Sequence, residues 1–356
     1  MTMKPLSAIF IGGFPKSGTT LLATLLDGHP ELMVFPEETS VLAIRHNVRT
    51  LKSKKKFIRT RSGARVPGLP AEENVFKSGV RDYSWIPDQE YSTGLRKALS
   101  PAKNDRELLE AILKNWIEFD PKRDRNNWKY FVEKTPLNEL YYRKILAWYP
   151  EAKFLYIIRD PRDNLLSYSK KKMARRPIPL LIERWKQSYH TAKLLESKGI
   201  IHIIRYRDLV SDPIKEMKKV AAFLHIEFHS CLIRPTRGGI PWEGNSMFGD
   251  NAKVVHGRSK GRYKEVMDKQ LIHYIEYMLY PEMQALGYSI SYATRIKKWL
   301  ESRGFIQAQE PLLPVPYIGY DPNNIAVEEA EGAAMSVTSG LANLSGDLPR
   351  ELRAES

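Results

Sequence analysis

The chain alternates short apolar runs with longer stretches of helical period. Ala8 to Gly12, Lys129 to Glu133, Lys153 to Ile158 and Ile200 to Arg205 are strand-sized runs. Segments whose apolar positions repeat with a helical period follow them, as in Thr19 to Asp27 and Leu137 to Trp148. Strands alternating with helices predict an α/β fold. Its expected form is a parallel, doubly wound sheet with helices on both faces, since parallel neighbours need a crossover and the crossover covers a face.

Two regions depart from this pattern. Arg45 to Arg65 holds nine Lys or Arg and no acid, and a stretch containing Pro, Gly and Ser follows to about residue 104. It reads as a basic insertion, a lid or an extended surface segment. Residues 305–356 hold eight acidic and two basic side chains. They open with Pro311, Pro314 and Pro316, pass through Glu328, Glu329 and Glu331, and thin into Gly, Ser, Ala and Asn. This composition predicts an acidic, disordered C-terminal tail. Residues 1–304 are read as one domain, because the motifs below lie near residues 16, 160 and 260 and serve one ligand.

Composition narrows the function classes. With 356 residues, 42% apolar and 27% charged, the chain can bury a substantial core. Its net charge of +15 divides into +21 on residues 1–304 and −6 on the tail. A basic body predicts an anionic partner: a phosphorylated small molecule, an acidic polymer, nucleic acid or an acidic membrane surface. Cys231 is the single cysteine, which excludes an intrachain disulfide and CxxC zinc sites and makes a reducing cytoplasm the expected location. The apolar runs fall far short of the roughly 20 residues that span a bilayer, so neither a membrane span nor a signal peptide is expected.

The first motif runs from the apolar strand through Gly12-Gly13-Phe14-Pro15-Lys16-Ser17-Gly18-Thr19-Thr20 into a helix. Strand, Gly-rich loop and helix form a phosphate-binding arrangement, in which backbone N–H groups and the positive helix end face one phosphate. Against the GxxxxGK[ST] pattern of nucleotide triphosphatases, Gly13 and Gly18 fit but Thr19 takes the lysine position, and the lysine sits three residues earlier as Lys16. From there it addresses a group attached to a single 5′-phosphate. The second motif is Arg159-Asp160-Pro161-Arg162-Asp163, directly after an apolar strand. Asp160 suits an N-cap, Pro161 the first helical position, and Asp163 the returning acid of a capping box. Ser167 follows along the helix within reach of a long Arg159 side chain, so the two can share a second anion.

Together these segments resemble the two nucleotide-binding signatures of sulfotransferases that use 3′-phosphoadenosine-5′-phosphosulfate (PAPS). The resemblance implies that Pro15, Lys16, Ser17, Gly18, Thr19 and Thr20 bind the 5′-phosphosulfate and that Arg159 and Ser167 hold the 3′-phosphate. Gly257 to Tyr263 is similar to the "SKGR" loop of heparan sulfate sulfotransferases, which adds Lys260, Gly261 and Arg262 to the nucleotide site. Arg205 to Pro213 is similar to the family's "RYEDL…DP" segment, with Arg207 in place of the usual Glu, and is read as structural.

Sulfuryl transfer needs cations and one base, and no metal. The resemblance assigns Lys16 to the bridging oxygen of the leaving group. Cytosolic members use the His of a Lys-Thr-His segment as base, but this chain has Lys134-Thr135-Pro136. Two carboxylates compete for the role. Glu133 resembles the base of the heparan sulfate enzymes' "EKS/EKT" segment, with Lys134 as its partner, and Glu38 resembles the second Glu of the tyrosylprotein sulfotransferases' "EET". Glu133 is placed slightly ahead. The acceptor is unidentified; the basic run and Lys170 to Arg176 suit an acidic one, a glycan or a peptide. A P-loop kinase or NTPase is the first rival reading, disfavoured by the displaced lysine. A nucleic-acid-binding protein is the second, disfavoured because stacking aromatics are sparse in the basic run.

Overall fold

Ile9 and Ile11 leave their strand on one side and Phe10 on the other, and all three are buried. A strand covered on both faces is what a doubly wound sheet requires. The computed structural model describes residues 7–42, 50–63, 86–121, 128–169, 177–242, 244 and 255–291. The expected tail, the run Lys170 to Arg176 and the two ends of the basic segment lie outside these residues.

Five strands, β1 (Ser7–Gly12), β2 (Leu32–Val34), β3 (Tyr130–Lys134), β4 (Lys153–Ile158) and β5 (Ile201–Arg205), form one sheet in the order β2-β3-β1-β4-β5. Every pairing is parallel. On one face Ile9 and Ile11 join Leu22, Leu25 and Leu26 of helix α1 (Thr19–Leu26) and Met217, Val220 and Leu224 of helix α9 (Pro213–Leu224) in a continuous core. Each such side chain contributes about 1.5–3 kcal/mol on burial. On the other face Phe10 stacks on Phe154 and meets Phe131 and Tyr149 with ring centroids about 6 Å apart. There Tyr156 bonds Ser188 of helix α7 (Ile178–Glu196). The predicted α/β class and parallel sheet are therefore present.

The register pairs Ile11 with Lys134 and with Leu155, and Ile158 with Arg205. It brings the carboxyl ends of β1, β3, β4 and β5 to one edge, with β1 at the point where strand order reverses. Ligands of open α/β sheets bind there.

The described residues of the basic insertion include helices. Helices α2 (Leu51–Gly63), α3 (Asp88–Leu99) and α4 (Asp105–Ile117) bury Ile58, Tyr91, Leu95, Leu109 and Trp116. Lys54 of α2 and Lys144 of helix α5 (Tyr142–Trp148) each lie 2.6 Å from one oxygen of Asp105. Among the described residues no helix is long and apolar enough to cross a membrane.

The described residues fall into two compact units. The first takes those of 1–159 and 188–260, the second those of 160–187 and 261–356. The second unit holds helices α6 (Pro161–Ser169), the start of α7, α10 (Tyr263–Val266), α11 (Lys269–Met278) and α12 (Tyr280–Ala285). Its centre is Arg162, 1% exposed, which donates to both oxygens of Asp160, to Glu276 and to the carbonyl of Ser289. Burial opposes the guanidinium charge, but the bond to Asp160 and the nearby Glu276 more than offset it, and the Arg162 pKa stands above its ordinary value.

Candidate active site

The loop between β1 and α1 turns at three residues of positive φ. Gly13 has φ +129°, Lys16 +74° and Gly18 +113°. A Cβ on Gly13 would lie 2.5 Å from the Ile157 carbonyl oxygen, and one on Gly18 would lie 2.8 Å from the Tyr206 ring. Both glycines are thus dictated by backbone conformation and by close packing. No side chain caps α1 at Gly18, so the first N–H groups of that helix stay open toward the loop. Ser17 Oγ is buried and, among the described residues, has no hydrogen-bond partner. A loop of turned N–H groups with an unused buried hydroxyl fits a phosphate. Not every loop N–H is offered, because that of Gly13 donates to Glu139 Oε2 at 2.9 Å. Glu139, fully buried, also accepts from Ser188.

At the end of β3 the pleat sends Glu133 and Lys134 to opposite faces. Glu133 is 2% exposed and enclosed by donors. Thr39 N–H, Thr39 Oγ1 and Thr135 Oγ1 lie within 3.1 Å of Oε1, and Asn138 Nδ2 lies 2.6 Å from Oε2. Burial pushes this carboxyl above the ordinary range, and the bonds from Thr135, Asn138 and Thr39 oppose the shift. Lys134 emerges on the α1 side, where its Nζ donates to Thr20 Oγ1 at 3.4 Å and to Glu38 Oε1 at 3.1 Å. The Lys134 side chain is 3% exposed and that of Glu38 26%. Burial lowers the Lys134 pKa, opposed by Glu38 and Glu37. One carboxylate is thus sealed and its neighbour accessible, held by a buried ammonium against the phosphate loop.

Arg159, 8% exposed, donates to the carbonyl oxygens of Lys16 at 3.2 Å and Ser259 at 2.5 Å, and its Cζ lies 5.1 Å from the Tyr206 ring centroid. Tyr206 OH bonds Ser259 Oγ at 2.7 Å, and Lys260 Nζ lies 3.4 Å from Ser211 Oγ. Within the first unit Arg159 therefore joins the phosphate loop to the segment at Ser259 and Lys260. In the second unit Asp163 reaches a distant segment of the chain. Its carboxylate, 2% exposed, accepts from Gly261 N at 2.7 Å and Tyr263 N at 3.0 Å, which fixes the backbone around Arg262. Asp160 does cap α6, accepting from Arg162 N at 3.0 Å. Ser167 lies on α6 in the second unit, and Arg159 ends the first.

Sequence reasoning missed Glu139, Asn138, Tyr206 and Arg237. Tyr206 stands in the segment read as structural, and its contacts with Gly18, Arg159 and Ser259 arise only in the fold. Arg237 has no local signal, since its partner Glu37 is 200 residues away. Among the described residues no three His, Cys, Asp or Glu side chains gather in a way that could hold a metal ion.

A parallel sheet with a phosphate loop at its reversal point, an Arg-Asp-Pro helix start and a Lys–Glu pair beside the loop define a class, and the family profile agrees. The chain belongs to the sulfotransferase family, whose profile matches residues 8–230. That span holds Lys16, Glu38, Glu133, Lys134, Arg159 and Ser167 and stops short of Arg237 and the Ser259–Tyr263 segment. Among curated relatives it is 26% identical over 240 residues to protein-tyrosine sulfotransferase 1 of Danio rerio, covering 65% of this chain and 56% of that one. To protein-tyrosine sulfotransferase 1 of Mus musculus it is 28% identical over 241 residues, covering 64% and 54%. The chain thus spans about half the length of these relatives. A sulfotransferase domain from the Synechococcus olefin synthase superposes with a TM-score of 0.48 at 19% identity, covering 75% of this chain and 91% of that one.

Proposed function

We propose that this chain transfers the sulfuryl group of PAPS to a hydroxyl acceptor and that Glu38 is the base. The observation that carries the reading is the Glu38–Lys134–Thr20 contact, which links an accessible carboxylate through Lys134 to the first turn of α1, directly after the phosphate loop. Glu133 is the weaker choice, because its carboxylate is enclosed by protein donors and lies on the opposite side of β3. It serves instead to hold Thr39, the residue after Glu38.

Pro15, Lys16, Ser17, Gly18, Thr19 and Thr20 would cradle the 5′-phosphosulfate. Arg159 and Lys260 of the first unit would take the 3′-phosphate. Glu38 removes the acceptor's hydroxyl proton as the new S–O bond forms. The S–O bond to the 5′-phosphate breaks with its electron pair left on the phosphate oxygen, and Lys16 neutralises that charge in 3′,5′-adenosine bisphosphate (PAP). Lys134 donates to Glu38 and holds its carboxylate in place.

The relatives are protein-tyrosine sulfotransferases, which favours a tyrosine hydroxyl in an acidic peptide over a glycan, the two acceptors that the basic run suits. The test is radiolabelled PAPS with a tyrosine-containing acidic peptide beside a heparan-type glycan. Label is expected on the peptide. Glu38→Gln should lose about 100-fold or more in turnover, within the usual range for a general base, while keeping its affinity for PAP. Lys16→Ala should lose both. Wild-type turnover in Glu38→Gln would remove Glu38 from the mechanism.

A further inference from the structure

Glu37 and Arg237 form a second ion pair beside the first. Arg237 Nη1 lies 3.0 Å from Glu37 Oε1, and the two side chains are 8% and 4% exposed. Arg237 arrives from a tight hairpin of β6 (Thr236–Arg237) and β7 (Ile240–Pro241), whose turn residues Gly238 and Gly239 have φ +56° and +81°. Asp27, at the end of α1, accepts from Thr236 Oγ1 and from Gly239 N, each at 2.8 Å. The guanidinium also lies 5.3 Å from the Trp242 ring centroid. A hairpin held at two points and a ring beneath the charge fix where Arg237 can reach.

The charged groups acting on Lys134 are Glu38 and Glu37 from the segment after β2 and Arg237 from β6, and its uncharged contact is Thr20 of α1. One buried ammonium thus faces two adjacent carboxylates. It bonds Glu38, while Glu37 bonds Arg237. We propose that Arg237 is a positioning residue for the base: by holding Glu37 it keeps Lys134 on Glu38 and Thr20. This rests on the reading of Glu38 as base. Without Arg237 the buried Glu37 carboxylate would lose the guanidinium it bonds, a costly change, and would draw Lys134 toward itself. Glu38 would then hold its proton to higher pH, since a nearby cation favours the ionised carboxylate.

The experiment follows the side-chain carboxyl signals of the full-length chain, labelled with carbon-13 at glutamate, through a pH titration. Glu38 is assigned by the signal missing in Glu38→Gln. In Arg237→Met the Glu38 midpoint is expected to rise by roughly one on the pH scale, the lower end of what an opposite charge supplies. Arg237→Lys should keep the wild-type midpoint. Glu37→Gln/Arg237→Met, which removes the competing carboxylate too, should return the midpoint to the wild-type value. A purely structural Arg237 predicts no such return.

An unchanged midpoint in Arg237→Met, or a raised one in the double variant, overturns the proposal. Where Arg237→Met does not fold, Glu37→Gln decides, because removing the competitor must not raise the midpoint. Turnover of Glu38→Gln is read separately. Full activity there removes the base reading while the midpoints still report on Arg237, and a lost activity with unmoved midpoints removes only the role of Arg237.

Discussion

Glu133 and Glu38 are both glutamates in short, motif-like strings, and only their surroundings separate them. The strand pleat turns Glu133 away from Lys134, and four donor contacts enclose it. Glu133→Gln is expected to keep most of the turnover but to lower stability by about 1–3 kcal/mol, because an amide donor would face Asn138 Nδ2 or force its rearrangement. Urea unfolding alongside the transfer assay checks this. The pH dependence has a definite sign. Burial raises the Glu133 pKa in the folded state, so just above the ordinary glutamate value the folded chain binds more protons than the unfolded one. The group's contribution to stability therefore falls as pH rises through that window, and the glutamine variant should lack this component. None of this was legible in the sequence. Glutamate in either string carries the same chemistry, and burial, which depends on residues such as Thr39 and Asn138, decides its use.

At the scale of elements the strands were the most legible, because a run such as Lys153 to Ile158 is buried on both faces and needs no polar positions. The three-residue β2 was not, being too short to show a period. The helix expected from Leu137 begins as a 3₁₀ turn at Asn138–Tyr141 and becomes α-helical at Tyr142, and Leu137 itself, with a left-handed φ of +72°, stays outside it. The Arg-Asp-Pro-Arg-Asp helix start was readable, but the work of its last acid was not. Asp163 spends both carboxylate oxygens on the backbone of Gly261 and Tyr263. Asp163→Asn puts an amide donor against one of those N–H groups. Losing a hydrogen bond to a charged group costs about 1.5–3 kcal/mol, so the variant should lose stability of about that size. Urea unfolding of the variant beside the parent chain measures it.

For the whole molecule, the nucleotide reading makes stability depend on ligand. A ligand that binds only the folded chain at 100 times its dissociation constant adds about 2.7 kcal/mol, so PAP should raise the melting temperature by several degrees. Thermal unfolding with and without PAP tests this, and Lys16→Ala should blunt the shift. The basic excess takes on more definite form here too, since Lys54 and Lys144 are already matched by Asp105. The sequence by itself determined the α/β class, the phosphate loop with Gly13, Lys16 and Gly18, and the sulfotransferase resemblance. These rest on periodicity and on short spacings along the chain, which are local. The tertiary structure alone decided that Lys134 pairs with Glu38, that Arg237 holds Glu37 and that Asp163 anchors Gly261 and Tyr263. Those pairings join residues about 100 to 200 positions apart, and only sheet register and burial bring their charges within bonding distance.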